Sequence, residues 1–531
     1  MTVDFVTPCD SMNKSLLQSF VSNVTGIGLV SFIFTWGCSS DGNKYIPITE
    51  DFCSQIHIET PVKLSDQLAP LSELMIAKTG VYTLEEGDVS MISRAWLCES
   101  AEKTIDIQYF IFSADNIGLI ASDYLLRAAD RGIQVRIIID DVMVDADADE
   151  LLALNAHPNL SIKIYNPTSN IGKNLSEKIY NLTTDFTGFN QRMHNKTFIV
   201  DGQVVITGGR NIADEYFDYD HEYNFRDRDV LLIGKTTHDI QNSFNSFWNS
   251  PLSVPVNKIV NEKDFNLNTA VKYEYLHQYA CNPDNFWPQV REKIKSMPEV
   301  FQKMKDTAEL IWVDQVSFVS DVPGKNNGDN GLTGGGVCTD SLINLIKRAK
   351  KSIYIQSPYL VTTELSQQLF LAAIQRGVTI KIVTNSLSST DNLEAFNGYQ
   401  RERETLLNIG IHIYEFKPDA AIRFKIMTGA LQKKINFTPI FGLHAKSIVI
   451  DKDIAVIGTF NLDPRSANLN TECVAVIYDP TIAGNLFNAM EEDMKPENAW
   501  STTLANNPDK EAGWVKRTKV WFRGVVPKSI L

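Results

Sequence analysis

Residues 193–211 read MHNKTFIVDGQVVITGGRN, and residues 443–461 read LHAKSIVIDKDIAVIGTFN. In both, Lys stands two residues after His, Asp seven after it and Asn seventeen after it. The two histidines are 250 positions apart (444 − 194). A residue and its i+2 neighbour in extended chain face the same side, so each stretch presents an imidazole and an ammonium together. Asp201-Gly202 and Asp451-Lys452 each separate two apolar runs, which reads as a hairpin turn. Gly209 and Gly458 then allow close approach of backbone or ligand, and Asn211 and Asn461 offer amide hydrogens.

Working outward, the same element order surrounds both stretches. The first copy reads as a helix over 93–102, a strand over 104–112, a helix over 119–129, Arg131-Gly132 and a strand over 133–139. The second reads as a helix over 341–350, a strand over 352–356, a helix over 364–374, Arg376-Gly377 and a strand over 378–383. Alternating strands and helices predict α/β architecture, with mostly parallel or mixed sheets flanked by helices. Two repeated lobes, 56–255 and 312–495, are expected. Pseudo-twofold symmetry would give them one shared site at their interface. Residues 256–311 read as a helical connection, 1–55 as a leader with an N-terminal arm, and 496–531 as a tail.

Composition narrows the function. The chain has 531 residues, 44% of them hydrophobic and 21% charged, enough apolar content for large cores. Its net charge of -14 argues against nucleic acid as a partner, because affinity for phosphate polymers comes from clustered Lys and Arg. Seven scattered cysteines show no zinc spacing, and their odd number suggests no disulfide framework.

Two His, two Lys and two Asn suit phosphodiester cleavage. One imidazole attacks phosphorus, the second handles the proton of the departing and incoming alcohols, and Lys and Asn hold the non-bridging oxygens. No metal and no cofactor is needed for this. Each histidine also wants its other ring nitrogen held by a carboxylate. Glu472 and Asp227 fit, each at the opening of a strand, with Asp229 the fallback to Asp227. Asp201 and Asp451 complete the polar set, although their turn positions suggest that they fix the hairpins.

At these residues the chain resembles the phospholipase D superfamily. The sets His194, Lys196, Asp201 and His444, Lys446, Asp451 match its duplicated H-x-K-x4-D signature, and Asn211 and Asn461 match its G-x-x-N. TTDFTGFNQRMHNKTFIVDG (183–202), GGRNIADEYF (208–217) and NLDPRSANLNTE (461–472) are similar to bacterial cardiolipin synthases lacking N-terminal transmembrane helices. The resemblance implies a covalent phosphohistidine and a phospholipid substrate whose phosphatidyl group passes to an alcohol or to water. It implies His194 as nucleophile and His444 as acid and base. The alternatives are a phospholipase D making phosphatidic acid, secreted or host-directed, and a nuclease-type phosphodiesterase.

Other segments bear on location. The apolar run at 27–36 is too short to span a bilayer, which takes about 20 residues. It reads as a signal-peptide core, with Gly37-Cys38 resembling a lipoprotein cleavage site and Cys38 the lipidation candidate. The tail WVKRTKVWFRGVVPKSIL (514–531) interleaves basic and aromatic residues, which suits docking on an anionic membrane surface or a final arm packed on the body. The expected location is the bacterial cell envelope, membrane-associated, with secretion as the alternative. The glycine-rich 324–336 reads as a linker, and the acidic 140–150 as a solvated turn.

Overall fold

The computed structural model describes residues 52–53, 62–141, 148–167, 191–260, 268–306, 309–326, 332–427 and 439–522. The apolar run at 27–36, Cys38 and the end of the basic tail lie outside the described residues, all of which belong to the compact unit Ile48–Leu531.

Two sheets organise this unit. The first has nine strands, at its centre Asp229–Gly234, Val204–Gly208, Thr197–Val200, Thr104–Tyr109, Gln134–Asp140 and Leu160–Tyr165 in spatial order. The second has eight, with Cys473–Tyr478, Ile454–Gly458, Ser447–Ile450, Ser352–Gln356, Thr379–Asn385 and His412–Phe416 in the matching places. In each sheet three strands run parallel through helical crossovers (Thr104–Tyr109, Gln134–Asp140 and Leu160–Tyr165; Ser352–Gln356, Thr379–Asn385 and His412–Phe416). The remaining ladders are antiparallel, because the motif stretches fold as hairpins: Thr197–Val200 pairs with Val204–Gly208, and Ser447–Ile450 with Ile454–Gly458. The sheets are therefore mixed.

The hydrophobic pattern places one face of each sheet against the other. Ile199, Val205, Val230 and Leu232 share a core with Val449, Ala455, Ile457 and Ala475. Alternate residues of the same strands, such as Phe198 and Ile206 or Ile450 and Val456, face the outer helices instead. Those helices are Gly87–Ser100 and Asn116–Asp130 in the first lobe, and Val337–Arg348 and Glu364–Gln375 in the second.

The segment between the lobes is helical, with Thr269–Ala280, Pro288–Lys295 and Val300–Asp306 among its helices. Leu276, Phe286, Val290, Ile294 and Phe301 bury in the first lobe's core, so it acts as a cover for that lobe. Beyond it, Ile311–Val313 joins the first sheet and Val316–Ser320 the second. In the tail, Ala499–Thr502 adds an edge strand to the second sheet, and the helix Trp514–Phe522 packs through Val520 on the second lobe's core.

The cysteines depart from expectation. Cys53 and Cys281 form a disulfide with Cα atoms 4.8 Å apart, fastening the N-terminal arm to the covering helices. The two are 228 positions apart, and spacing carries no signal over that distance. Cys98, Cys338 and Cys473 are free and buried.

Candidate active site

Each motif histidine sits immediately before the first strand of its hairpin, at the end of the sheet where the parallel strands terminate. Backbone bonds across the lobe boundary hold it there. His194 N–H donates to Thr471 O (2.9 Å), and His444 N–H to Arg226 O (2.8 Å). Ile440–Leu443, which leads into His444, pairs in parallel with Tyr223–Arg226, and Met193 bridges to Thr471 in the equivalent place. Each His segment of one lobe is thereby laid along the acid-bearing segment of the other.

The carboxylates consequently cross over. Glu472, of the second lobe, lies with its two oxygens 2.9 and 3.1 Å from His194 Nδ1 of the first. Asp227, of the first lobe, lies 2.6 Å from His444 Nδ1 of the second. Ser466 Oγ (2.7 Å) and Thr459 Oγ1 donate to Glu472 in turn. Asp229 goes elsewhere, accepting from Ser90, Arg94 and the Arg210 backbone. Asp227 and Asp229 therefore do different work, although they are two positions apart.

The lysines differ between halves. Lys196 Nζ donates to His194 O (2.9 Å). Lys446 Nζ donates to His444 O (2.5 Å) and also stands 2.8 and 3.0 Å from the Nδ1 and Nε2 of that ring. All four groups are buried. Burial, with the nearby ammonium groups, pushes the His194 imidazole down to about 4 despite Glu472. Burial and Lys446 push His444 down to about 3. Burial likewise lowers Lys196 to about 8 and Lys446 to about 7. For the carboxylates burial acts in the opposite sense, but His194 keeps Glu472 below the usual range, and His444 does so for Asp227. At neutral pH the site holds two neutral imidazoles, each with Nδ1–H donated to an ionised carboxylate, which leaves Nε2 as the basic nitrogen.

The asparagines also differ. Asn211 is occupied: its Oδ1 accepts from Ile111 N–H (3.1 Å) and its Nδ2 donates to the Tyr216 hydroxyl (2.8 Å). Asn461 Oδ1 is buried with no hydrogen-bond partner. Aromatic rings wall the histidines, Phe110 against His194 (centroids 5.0 Å apart) and Tyr216 and Phe225 against His444 (5.1 and 4.6 Å).

Four predicted residues serve the scaffold. Asp201 and Asp451 do not join the histidines. They sit at the hairpin turns with φ of 52° and 55°. Asp201 accepts the backbone N–H groups of Glu102, Lys103 and Thr104, and Asp451 those of Lys350, Lys351 and Ser352. Each pins the hairpin to the start of the neighbouring strand. Gly209 and Gly458 give close approach to protein rather than to a ligand. A Cβ on Gly209 would meet Asp227 Oδ1 at 2.1 Å, and one on Gly458 would meet Cys473 O at 2.3 Å. Gly209 makes room for the carboxylate that orients His444.

Sequence reasoning passed over Asp140. This residue ends the strand Gln134–Asp140, is wholly buried, and accepts from Met193 N–H (2.7 Å) and from Arg192 (3.2 Å), fixing the backbone that presents His194. Its position at the carboxyl end of a parallel strand, where sites in such sheets gather, was the available signal. Thr459 and Ser466 had none, since only the fold brings them to Glu472.

Two lobes that each supply a His-Lys pair, with carboxylates exchanged between them, define an enzyme of the phospholipase D type. The family model for "Cardiolipin synthase, PLD-like domain" matches residues 97–248 and 342–494, and the chain belongs to that family. Cardiolipin synthase C of Escherichia coli is 32% identical over 425 residues, 79% of this chain and 86% of that one. An uncharacterized protein of Helicobacter pylori is 32% identical over 431 residues, 80% of this chain and 82% of its own. Among solved structures, phosphatidylserine synthase of Haemophilus influenzae shares the fold with a TM-score of 0.53 and 14% identity, covering 88% of this chain and all of its own. The protein is thus an enzyme of the phosphatidyltransferase and phosphodiesterase class.

Proposed function

We propose that the protein is a cardiolipin synthase-type phosphatidyltransferase acting through a phosphohistidine, with His194 the nucleophile and His444 the acid and base. The observation that carries this reading is the crossed pair of His–carboxylate contacts, which commits both histidines to one centre. His194 Nε2 attacks phosphorus, the bond from phosphorus to the departing alcohol breaks, and His444 passes to that oxygen a proton drawn from the Lys446 ammonium, 3.0 Å from its Nε2. An acceptor hydroxyl then gives its proton to His444 and attacks phosphorus, and the phosphorus–nitrogen bond breaks. Lys196, Lys446 and Asn461 supply donors to the non-bridging oxygens. The asymmetry of the lysines supports this order. Both rings have a carboxylate at Nδ1 and both lysines reach the carbonyl of their own histidine, but Lys446 in addition lies 2.8 and 3.0 Å from the two ring nitrogens of His444, where its ammonium can exchange a proton with that ring.

Two features support work at a membrane outside the cytoplasm. The disulfide Cys53–Cys281 suits an oxidising compartment. On the helix Trp514–Phe522, Trp514 and Trp521 are 72% and 74% exposed beside Arg517 and Lys519, as an interfacial anchor would be. No described helix is long and apolar enough to cross a membrane.

Incubating the purified protein with phosphatidylglycerol, alone and with phosphatidylethanolamine, followed by lipid mass spectrometry, tests the reading. Cardiolipin is expected, and either His194→Ala or His444→Ala should abolish it in a folded protein. Phosphatidic acid as the main product would make water the acceptor. No consumption of either lipid would overturn the assignment.

A further inference from the structure

The glycine-rich stretch 324–336, expected to be a linker, makes contacts that a linker does not need. Lys325, near its start, turns inward with a side chain only 1% exposed and meets the equally buried Asp321 at 2.9 Å. Its Nζ also donates to Ser466 O (2.7 Å). Asn326 Nδ2 donates to Asn468 O (3.1 Å), and Thr339 Oγ1, just past the stretch, to Ala467 O (2.7 Å). Three successive carbonyls of the short helix Pro464–Asn468 are thus capped from one side. The last carbonyls of a helix have no partner within it, so these bonds fix where the helix sits. Gly336 leaves the room required: a Cβ there would overlap Lys325 Cε and lie 2.6 Å from Asp321 Oδ1.

The far end of this arrangement is the candidate active site. Ser466 Oγ accepts from Asn461 N–H (3.2 Å) and donates to Glu472 Oε1 (2.7 Å), so one hydroxyl joins the asparagine segment to the carboxylate at His194. Asp321 holds the main chain of Glu472 by two bonds. Its N–H donates to Glu472 O (2.9 Å), and its Oδ2 accepts from Glu472 N–H (3.0 Å). The Lys325–Asp321 pair therefore reaches one residue by two paths: through Asp321 to the backbone of Glu472, and through Ser466 to its side chain. A buried ion pair is weak evidence for stability, because apolar residues of like volume often serve as well. What it does supply is a fixed geometry, with both charges committed to named partners. Asp227 is held differently, between Arg226 and Arg228, which both pair with Glu85.

We propose that Lys325 and Asp321 are positioning residues for the nucleophile, setting the Glu472 carboxylate against His194 Nδ1 so that Nε2 points at phosphorus. The inference rests on His194 as nucleophile in the reading above. The test is single-turnover release of p-nitrophenol from bis(p-nitrophenyl) phosphate with the enzyme in excess. At saturating enzyme the rate constant reads the geometry of attack, whereas a partly unfolded sample only shifts the concentration at which saturation is reached. Partners that orient a functional group in this way contribute roughly 10–100-fold, and Lys325→Met should lower the saturating rate constant by that factor. Because this variant strands the Asp321 charge, it is paired with Asp321→Asn/Lys325→Met, which removes both charges at nearly constant volume. The double variant should unfold in denaturant at a midpoint close to that of the wild type and keep the lowered rate constant. A double variant with the wild-type rate constant, or one whose midpoint collapses, would overturn the proposal, as would a folded Lys325→Met that loses nothing. Release of p-nitrophenol by His194→Ala at the wild-type rate would overturn the reading of the nucleophile instead.

Discussion

Glu472→Gln isolates the contribution of the carboxylate that crosses from the second lobe to His194. Glutamine keeps the volume, and the hydroxyls of Thr459 and Ser466 can turn to suit an amide, so stability should fall by only about 1–2 kcal/mol. At His194 the change is larger. The amide loses the negative charge facing Nδ1–H, and where its NH₂ points at the ring it forces the proton onto Nε2, the nitrogen proposed to attack. Imidazoles held in the wrong tautomer by such an exchange lose about 10⁴ in kcat, and loss of one positioned proton-transfer group costs about 10²–10⁴. The expected fall is therefore about 10²–10⁴, or roughly 2.7–5.4 kcal/mol at about 1.36 kcal/mol per tenfold. The assay is rapid-mixing release of p-nitrophenol from bis(p-nitrophenyl) phosphate, whose leaving group needs no acid. Glu472→Gln should lose the burst, whereas Asp227→Asn, which impairs His444, should keep the burst and slow the turnover after it. A full burst with Glu472→Gln in a folded protein would refute both the crossed orientation and His194 as nucleophile.

Further expectations concern pH, the hairpins and the disulfide. With the imidazoles near 4 and 3 and Lys446 near 7, kcat/KM should be flat from about pH 5 to 7 and fall above that as Lys446 and then Lys196 lose their protons. Lys446→Arg, which stays charged, should move the alkaline limb upward, and a limb that stays in place would contradict this assignment. Asp201→Ala or Asp451→Ala strands three backbone N–H groups and should cost about 1–3 kcal/mol in denaturant unfolding while leaving kcat nearly unchanged. Cys53→Ser should lower the unfolding free energy by about 2–4 kcal/mol, and alkylation of the unreduced, denatured protein should leave Cys53 and Cys281 unlabelled.

The repeated element order and the His-Lys pairs were legible because they are local: strand alternation, helix periodicity and a fixed spacing near 250 all show in the chain itself. Glu472 and Asp227 were legible as acids at strand openings. Which histidine each serves was not, because that depends on Met193 meeting Thr471 and on Ile440–Leu443 meeting Tyr223–Arg226, contacts between residues more than 200 positions apart. The glycines were read correctly as sites of close approach, but the approaching atom at Gly209 proved to be Asp227. Asp140 looked like the start of a solvated acidic turn because its burial arises only when Arg192 and Met193 close over it.

The exchange of carboxylates has a consequence for how such a molecule could arise. One lobe alone holds an imidazole lacking its anion and an anion lacking its imidazole. Two identical copies meeting face to face would repair both defects at once, so an ancestral homodimer is a complete starting point. Joining the copies in one polypeptide frees each half to drift without dragging the other along. The tethered Asn211 and the unpartnered Oδ1 of Asn461 record that freedom, as do the differing reaches of Lys196 and Lys446.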